Sequence, residues 1–280
     1  LLTGARLAVL STFVLSRHLM AAAAHDLTHL LQGQTLEVLL DAANNTADNI
    51  SDTSDNIPET NVRIGIASMI KQPGEEIFLT WLEYHAVELA VERFYLRIED
   101  TPSLKYICEV APWRERVKAT FVEGTVRDWS GVATRQAHHV RASIEEARRD
   151  GLTHLLALDV DELLCVPTGL SAFHNSIRRL PVTIASIHCR NLEALVPSHK
   201  CRNPFADARA FKHRPWEYGA YGYPPSSGKS LGVLSVEGLT TNGPHHFGID
   251  GKEMDGSPLY AEGLSIAMPH SVGVLLHYES

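Results

Sequence analysis

The chain has few cysteines, no basic stripe and no unbroken apolar run long enough to cross a membrane. Its four cysteines, Cys108, Cys165, Cys189 and Cys201, include no C-x-x-C pair, which argues against a structural zinc site. Cys189 and Cys201 flank a polar loop; the residues leave open whether they form a disulfide in an oxidising compartment or stay as thiols. The 25 Lys and Arg are scattered and outnumbered by 33 Asp and Glu, for a net charge of −8, so nucleic acid is not an expected partner. The run Leu7 to Leu15 is interrupted by Arg17 and His18 before Met20 and Ala21 to Ala24, short of the roughly 20 apolar residues of a clean span. There is no internal repeat. What remains, 280 residues with 44% hydrophobic content, suits one large α/β domain with an appendage.

The appendage is residues 1–60. Arg6, the apolar run and the small residues after it suit a signal peptide or the end of a signal anchor, and with it membrane association; an amphipathic helix is the plain alternative. The true start is expected upstream of Leu1. Asp26 to Ala43 keeps helical spacing through Leu27, Leu30, Leu31, Leu36, Leu39 and Leu40. Residues 41–60 then hold five acids, no Lys or Arg, and many Asn, Thr and Ser, the composition of a linker. Two sequons, Asn44-Asn-Thr and Asn49-Ile-Ser, fall in it, so a lumenal stem in the secretory pathway is expected.

From residue 61 the pattern is that of a folded domain. Val62 to Ile70 reads as a strand, Ile77 to Leu89 as a helix, and Val91 to Ile98 as a second strand. Strand, helix, strand makes a parallel unit that places ligands at the strands' carboxyl ends, here Ser68 to Lys71 and Glu99 to Ser103. Trp81 and His85 read as core residues. Val117 to Val122 is a third strand, and Val132 to Arg149 a helix with one apolar stripe of Ala133, Ala137, Val140, Ile144 and Ala147. Thr153 to Leu158 is a short apolar run without Gly or Pro, the pattern of a fully buried strand. Later strands are expected at 181–188, 208–212, 231–236 and 272–277, with 216–230 a long functional loop.

The chemistry is expected where the buried strand ends, in Asp159-Val160-Asp161-Glu162. In extended chain residues two apart share a side, so Asp159 and Asp161 can present two carboxylates to one point. Such a pair at the carboxyl end of a strand suits a hard divalent cation holding a diphosphate. The tetrapeptide alone equally fits an acidic turn.

Taken in order, Lys71, Trp81-Leu-Glu-Tyr-His85, Arg97-Ile-Glu-Asp-Thr-Pro-Ser103, Asp159-Val-Asp-Glu162, Gly228-Lys-Ser230, His245-His-Phe247 and Leu276-His-Tyr278 resemble glycosyltransferases of the family 2 and family 92 group. The resemblance covers residues 62–280. It implies a GT-A type α/β fold, a mostly parallel central sheet flanked by helices, with the helical and stem extension in front and a C-terminal end cut short of the family's. It implies a manganese or magnesium ion on Asp159 and Asp161 with His277 as a further ligand, and imidazole ligation favours manganese. It implies a nucleotide-diphosphate sugar, a uridine one first, as donor; Asp100, Gln136, Lys229 and His246 are the expected contacts to it. The acceptor is a glycan or glycoconjugate, and the compartment the Golgi. The general base is sought among Glu217, Glu193 and Asp250, with Glu217 chosen because Pro215-Trp-Glu-Tyr218 sets it among aromatics that can stack on a sugar. Two other readings stand beside this one: a metal-dependent nucleotidyltransferase, and an inactive carbohydrate-binding relative.

Overall fold

The structure is a computed structural model that describes residues 61–124, 131–195, 203–208, 210–212, 228–241, 243, 245–249 and 264–278. The chain divides into two compact units, Leu1–Asn61 and Val62–Ser280. The signal or anchor segment, the stem and both sequons lie outside the described residues. Within those residues no helix is long and apolar enough to cross a membrane.

The second unit is a mixed α/β fold. Strand β1 (Ile64–Lys71) leads through three residues into helix α1 (Glu75–Glu88) and on to β2 (Arg93–Glu99). A short helix α2 (Lys105–Glu109) precedes β3 (Val117–Val122), and the long helix α3 (Val132–Arg149) returns the chain to β4 (His154–Ala157). β1, β2, β3 and β4 are mutually parallel, in the order β3-β2-β1-β4. The chain builds outwards from β1 to β3, then crosses back over β1 to lay down β4. The order therefore reverses between β1 and β4, and in open α/β sheets ligands bind at the carboxyl ends of the strands at such a reversal.

Both faces of this half are covered. Alternation along the strands turns Ala67, Tyr95, Leu155 and Ala157 towards Val140, Ile144 and Ala147 of α3. The opposite face carries Phe94, whose ring stands 5.7 Å from Trp81 of α1 and 6.2 Å from Trp113. A strand buried on both sides needs an unbroken apolar run, which is why 153–158 is legible.

The other half mixes directions. β5 (Glu162–Cys165) and α4 (Leu170–Arg178) lead to β6 (Ser186–Leu195), followed by a helical turn α5 (Pro204–Asp207) and β7 (Ala210–Lys212). β8 (Gly228–Val233) runs antiparallel between β4 and β6 and joins the two halves. A hairpin of β9 (Leu239–Thr241) and β10 (Phe247–Ile249) forms a separate two-stranded sheet. Then β11 (Ser265–Ala267) pairs with β6, and β12 (Val274–His277) lies between β6 and β5. Among the described residues the large sheet has nine pairings, five of them parallel, so the expected parallel bias is carried by the first half. Cys108, Cys165 and Cys189 are free thiols, so Cys189 has not taken the disulfide alternative; Cys201 lies outside the described residues.

Candidate active site

The acidic tetrapeptide sits at the carboxyl end of β4, beside the reversal in strand order. It is not extended. β4 stops at Ala157, and Glu162 N–H closes a turn on the Asp159 carbonyl at 3.2 Å. The segment is a turn, which corrects the extended chain on which the two-residue spacing rests. Asp159 turns to Lys229 and Gln136, whereas Asp161 turns to His277.

Helix α1 holds that turn. The Trp81 indole N–H is shared between the carbonyls of Asp159 (3.1 Å) and Glu162 (3.0 Å). Tyr84 donates its hydroxyl to the Leu164 carbonyl at 3.2 Å. His85 Nδ1 lies 2.9 Å from the Trp81 carbonyl, which makes Nδ1 the protonated nitrogen and leaves Nε2 to accept from Leu164 N–H at 3.4 Å. Trp81 and His85 are core residues, as read from the sequence, but core residues with polar edges that fix the site. Trp81→Phe takes the indole N–H from both carbonyls, leaving Asp159 only its turn bond to Glu162, and its smaller ring fills less of the space beside Phe94. The expected loss is about 1–3 kcal/mol in urea unfolding, with a larger relative loss of activity than any other α1 substitution.

Burial pushes His85 down to about 3, so it is neutral in the folded protein. The unfolded chain takes up a proton near pH 6.5. This contribution to stability is complete above that pH and is lost as the pH falls, by about 1.4 kcal/mol at pH 5.5. Unfolding measured from pH 7 to 5.5 should show a shallower dependence in His85→Gln.

Lys229 lies in β8, not in the loop expected from its glycine-rich surroundings, because pairing with both β4 and β6 draws the segment into the sheet. Its side chain is 1% exposed, with Nζ 2.5 Å from Asp159 Oδ2 and 3.6 Å from Glu162 Oε2. Burial disfavours its charge, but Asp159 and Glu162 outweigh this and raise it well above the usual lysine range. Burial likewise works against an ionised Asp159, and the Lys229 charge prevails and keeps Asp159 below its ordinary value. The other oxygen of Asp159 accepts from Gln136 Nε2 of α3 at 3.0 Å. Glu162 accepts from Asp159 N–H at 2.9 Å, and burial, with Asp159 and Asp161 adding to it against Lys229, pushes it up to about 7.

Gly228 makes the Lys229 position reachable. A Cβ there would fall 2.3 Å from the Cys189 carbonyl oxygen and 2.9 Å from His188 Nε2, and its φ is 153°. Backbone cannot yield as a side-chain tip can. Gly228→Ala should cost about 2–3 kcal/mol, read from chemical unfolding, and displace Lys229.

On the other side of the turn, His277 at the end of β12 pairs in register with Glu162 and with Glu193. Its Nδ1 is 2.8 Å from Glu193 Oε2, and its Nε2 stands 3.9 Å from Asp161 Oδ2. Burial opposes a charged His277, but the bond to Glu193 and the nearby Asp161 and Glu162 raise it to about 9. Asp161, 34% exposed, is raised above the usual carboxylate range by burial and by Asp159. Glu193, one of the three candidate bases, is thus engaged by His277 and by Asn191 Nδ2 at 2.5 Å. Glu217 and Asp250 lie outside the described residues.

Asp100 stands at the carboxyl end of β2, as expected, in a left-handed conformation with φ 51°. Its carboxylate accepts from Gly124 N–H at 2.7 Å and faces Lys71 Nζ at 3.3 Å. His246 is stacked obliquely on His188, with ring centres 5.0 Å apart, and burial with the adjacent His245 pushes it down to about 4. His245 donates from Nδ1 to the Gly228 carbonyl at 2.8 Å.

A divalent ion clasped by Asp159 and Asp161 needs carboxylate oxygens that converge. Among the described residues no three His, Cys, Asp or Glu side chains are grouped to hold a metal ion. Asp161 and His277 are aligned as two donors, with Glu193 orienting the imidazole as a carboxylate does behind many metal-bound histidines. Asp159 does not complete them, since each of its oxygens already takes a protein donor and one of these is an ammonium. The three residues as arranged do not fit a shared ion.

No family model matches the sequence, and neither does any curated protein. Among solved structures, the chain is similar to a mannosyltransferase from Pyrobaculum calidifontis in complex with GDP-Man and Mn2+, at 17% identity and a TM-score of 0.33, over 60% of this chain and 46% of that one. The match thus spans less than half of the mannosyltransferase. It is also similar to 4-diphosphocytidyl-2C-methyl-D-erythritolsynthase from Anaerococcus prevotii, at 8% identity and a TM-score of 0.33 over 62% and 70% of the two chains. A mannose-1-phosphate geranyltransferase from Thermus thermophilus matches at 13% identity and a TM-score of 0.35 over 62% and 58%. What the site can do follows from its own residues.

Proposed function

We infer that this protein is a transferase that takes a sugar from a nucleotide-diphosphate sugar and passes it to an acceptor hydroxyl on a glycan or glycoconjugate. The observation that carries the reading is the position of Asp161 and the Glu193–His277 pair at the carboxyl end of β4, where strand order reverses beside β1. Open α/β sheets bind nucleotides at such a reversal. Lys71 ends β1 and pairs with Asp100 just past the end of β2, and the acidic turn follows the end of β4.

In the transfer, the acceptor oxygen bonds to the anomeric carbon as the bond from that carbon to the diphosphate breaks. The bonding electrons leave with the nucleoside diphosphate, and the acceptor proton passes to a base, for which Glu217 is the proposed residue. His277, held by Glu193, places a positive group beside the site while it is protonated, and such a charge stabilises a departing anion.

The start of α1 weighs against nucleotidyl transfer. A triphosphate cradle needs a glycine-rich loop with free amides, but three residues separate β1 from α1, and its first turn carries Glu75 and Glu76. Incubation with a panel of nucleotide sugars, uridine first, should release free nucleoside diphosphate. Pyrophosphate released from a nucleoside triphosphate would replace this reading with nucleotidyl transfer, and binding without turnover would leave a carbohydrate-binding relative. Secretory, Golgi-type placement is proposed on residues 1–60, and a mobility shift after glycosidase treatment of material from secretory cells tests it.

A further inference from the structure

Lys229 presents an unusual arrangement for a residue expected only to reach a phosphate. Its ammonium is enclosed by the protein, and among the described residues it pairs with Asp159 and Glu162. A buried ammonium persists only where anions compensate its lost hydration. The backbone keeps it there. β8 pairs with β4 through Leu156 and Leu231 and with β6 through Cys189 and Lys229, so a one-residue slip would turn the whole strand inside out. Gly228 lets the strand pass the Cys189 carbonyl, and Gln136 occupies the remaining oxygen of Asp159. An ion on Asp159 would have to share that carboxylate with a buried ammonium 2.5 Å away, against like-charge repulsion.

We propose that the Lys229 ammonium is the resident cation of the Asp159–Glu162 cluster, so that the site takes a nucleoside diphosphate without a divalent ion shared by Asp159 and Asp161. The diphosphate part rests on the transferase reading; the cation part does not. Lys229 acts through Asp159 as a positioning residue. It cancels a negative charge that would otherwise repel the phosphates, and it holds the Asp159 carboxylate against β8.

The test is a Mn2+ titration of the whole protein without nucleotide, following the electron spin resonance signal of the free ion. The wild type should show no Mn2+ site that depends on Asp159. Lys229→Met and Lys229→Gln, which leave the acids facing one another uncompensated, should gain Mn2+ affinity by about tenfold or more. Their thermal midpoints should rise on adding Mn2+ while that of the wild type stays, as binding to the folded state requires. A purely structural lysine would give no such gain. Calorimetry of uridine diphosphate with the wild type should give the same affinity in Mn2+ as in EDTA. Mn2+ bound by the wild type and lost in Asp159→Asn overturns the proposal, whether or not the Lys229 variants fold. Failure of any nucleoside diphosphate to bind in either condition overturns the transferase reading instead, and the Mn2+ titrations still decide the role of Lys229.

Discussion

Asp161→Asn should lower sugar transfer by about 100-fold or more while the protein remains folded, because Asp161 is, after Glu193, the anion that keeps His277 positive beside the departing diphosphate. The substitution keeps side-chain volume and removes one charge from the open edge of the site, where Asp161 is 34% exposed and faces His277 Nε2 at 3.9 Å. The bond that ties this turn to β12, from Tyr278 N–H to the Asp161 carbonyl at 2.9 Å, is made by backbone and survives. Burial and Asp159 already disfavour the ionised form of Asp161, so its neutral replacement should leave the melting temperature unchanged or raise it. Activity and stability therefore part company at this position. A variant that kept transfer within about threefold of the wild type would remove Asp161 from the reaction, because an effect that small is less than one good hydrogen bond.

Lys229→Met should be the most destabilising substitution at the site, by about 3 kcal/mol in urea unfolding at neutral pH. Methionine fills the same space, so the loss is electrostatic. Glu162, with 8% of its side chain exposed, loses the cation that opposes the effect of burial on its charge. Asp159 is 32% exposed and partly screened by water, which holds the figure at the lower end of the range for a broken buried pair. Adding Asp159→Asn to Lys229→Met removes one uncompensated acid and should restore part of the loss. Additive losses in the double variant would mean that the 2.5 Å contact contributes nothing as a pair.

Much of the first half of the fold can be read from the chain. The helical stripe of Val132–Arg149 and the strand Val117–Val122 have the bounds that periodicity gives them, because each is set by local burial on a single face or edge. β5 is harder: Glu162–Cys165 is four residues long and exists as a strand only because β12, more than a hundred positions later, pairs with it. Lys229 and Gly228 look like loop residues for the same reason, since only pairing to β4 and β6 makes that segment a strand. The indole of Trp81 offered one usable signal, a polar N–H on an otherwise apolar helix face, which must find a buried acceptor.

By itself the sequence determined where acids meet the end of a buried strand and which segments are helix or strand by their own periodicity, since both are local matters of spacing and burial. Only the tertiary structure decided which way those acids point. Asp159 faces an ammonium and Asp161 an imidazole because β8 and β12 arrive on opposite sides of one turn, and long-range strand pairing of that kind leaves no trace in local spacing.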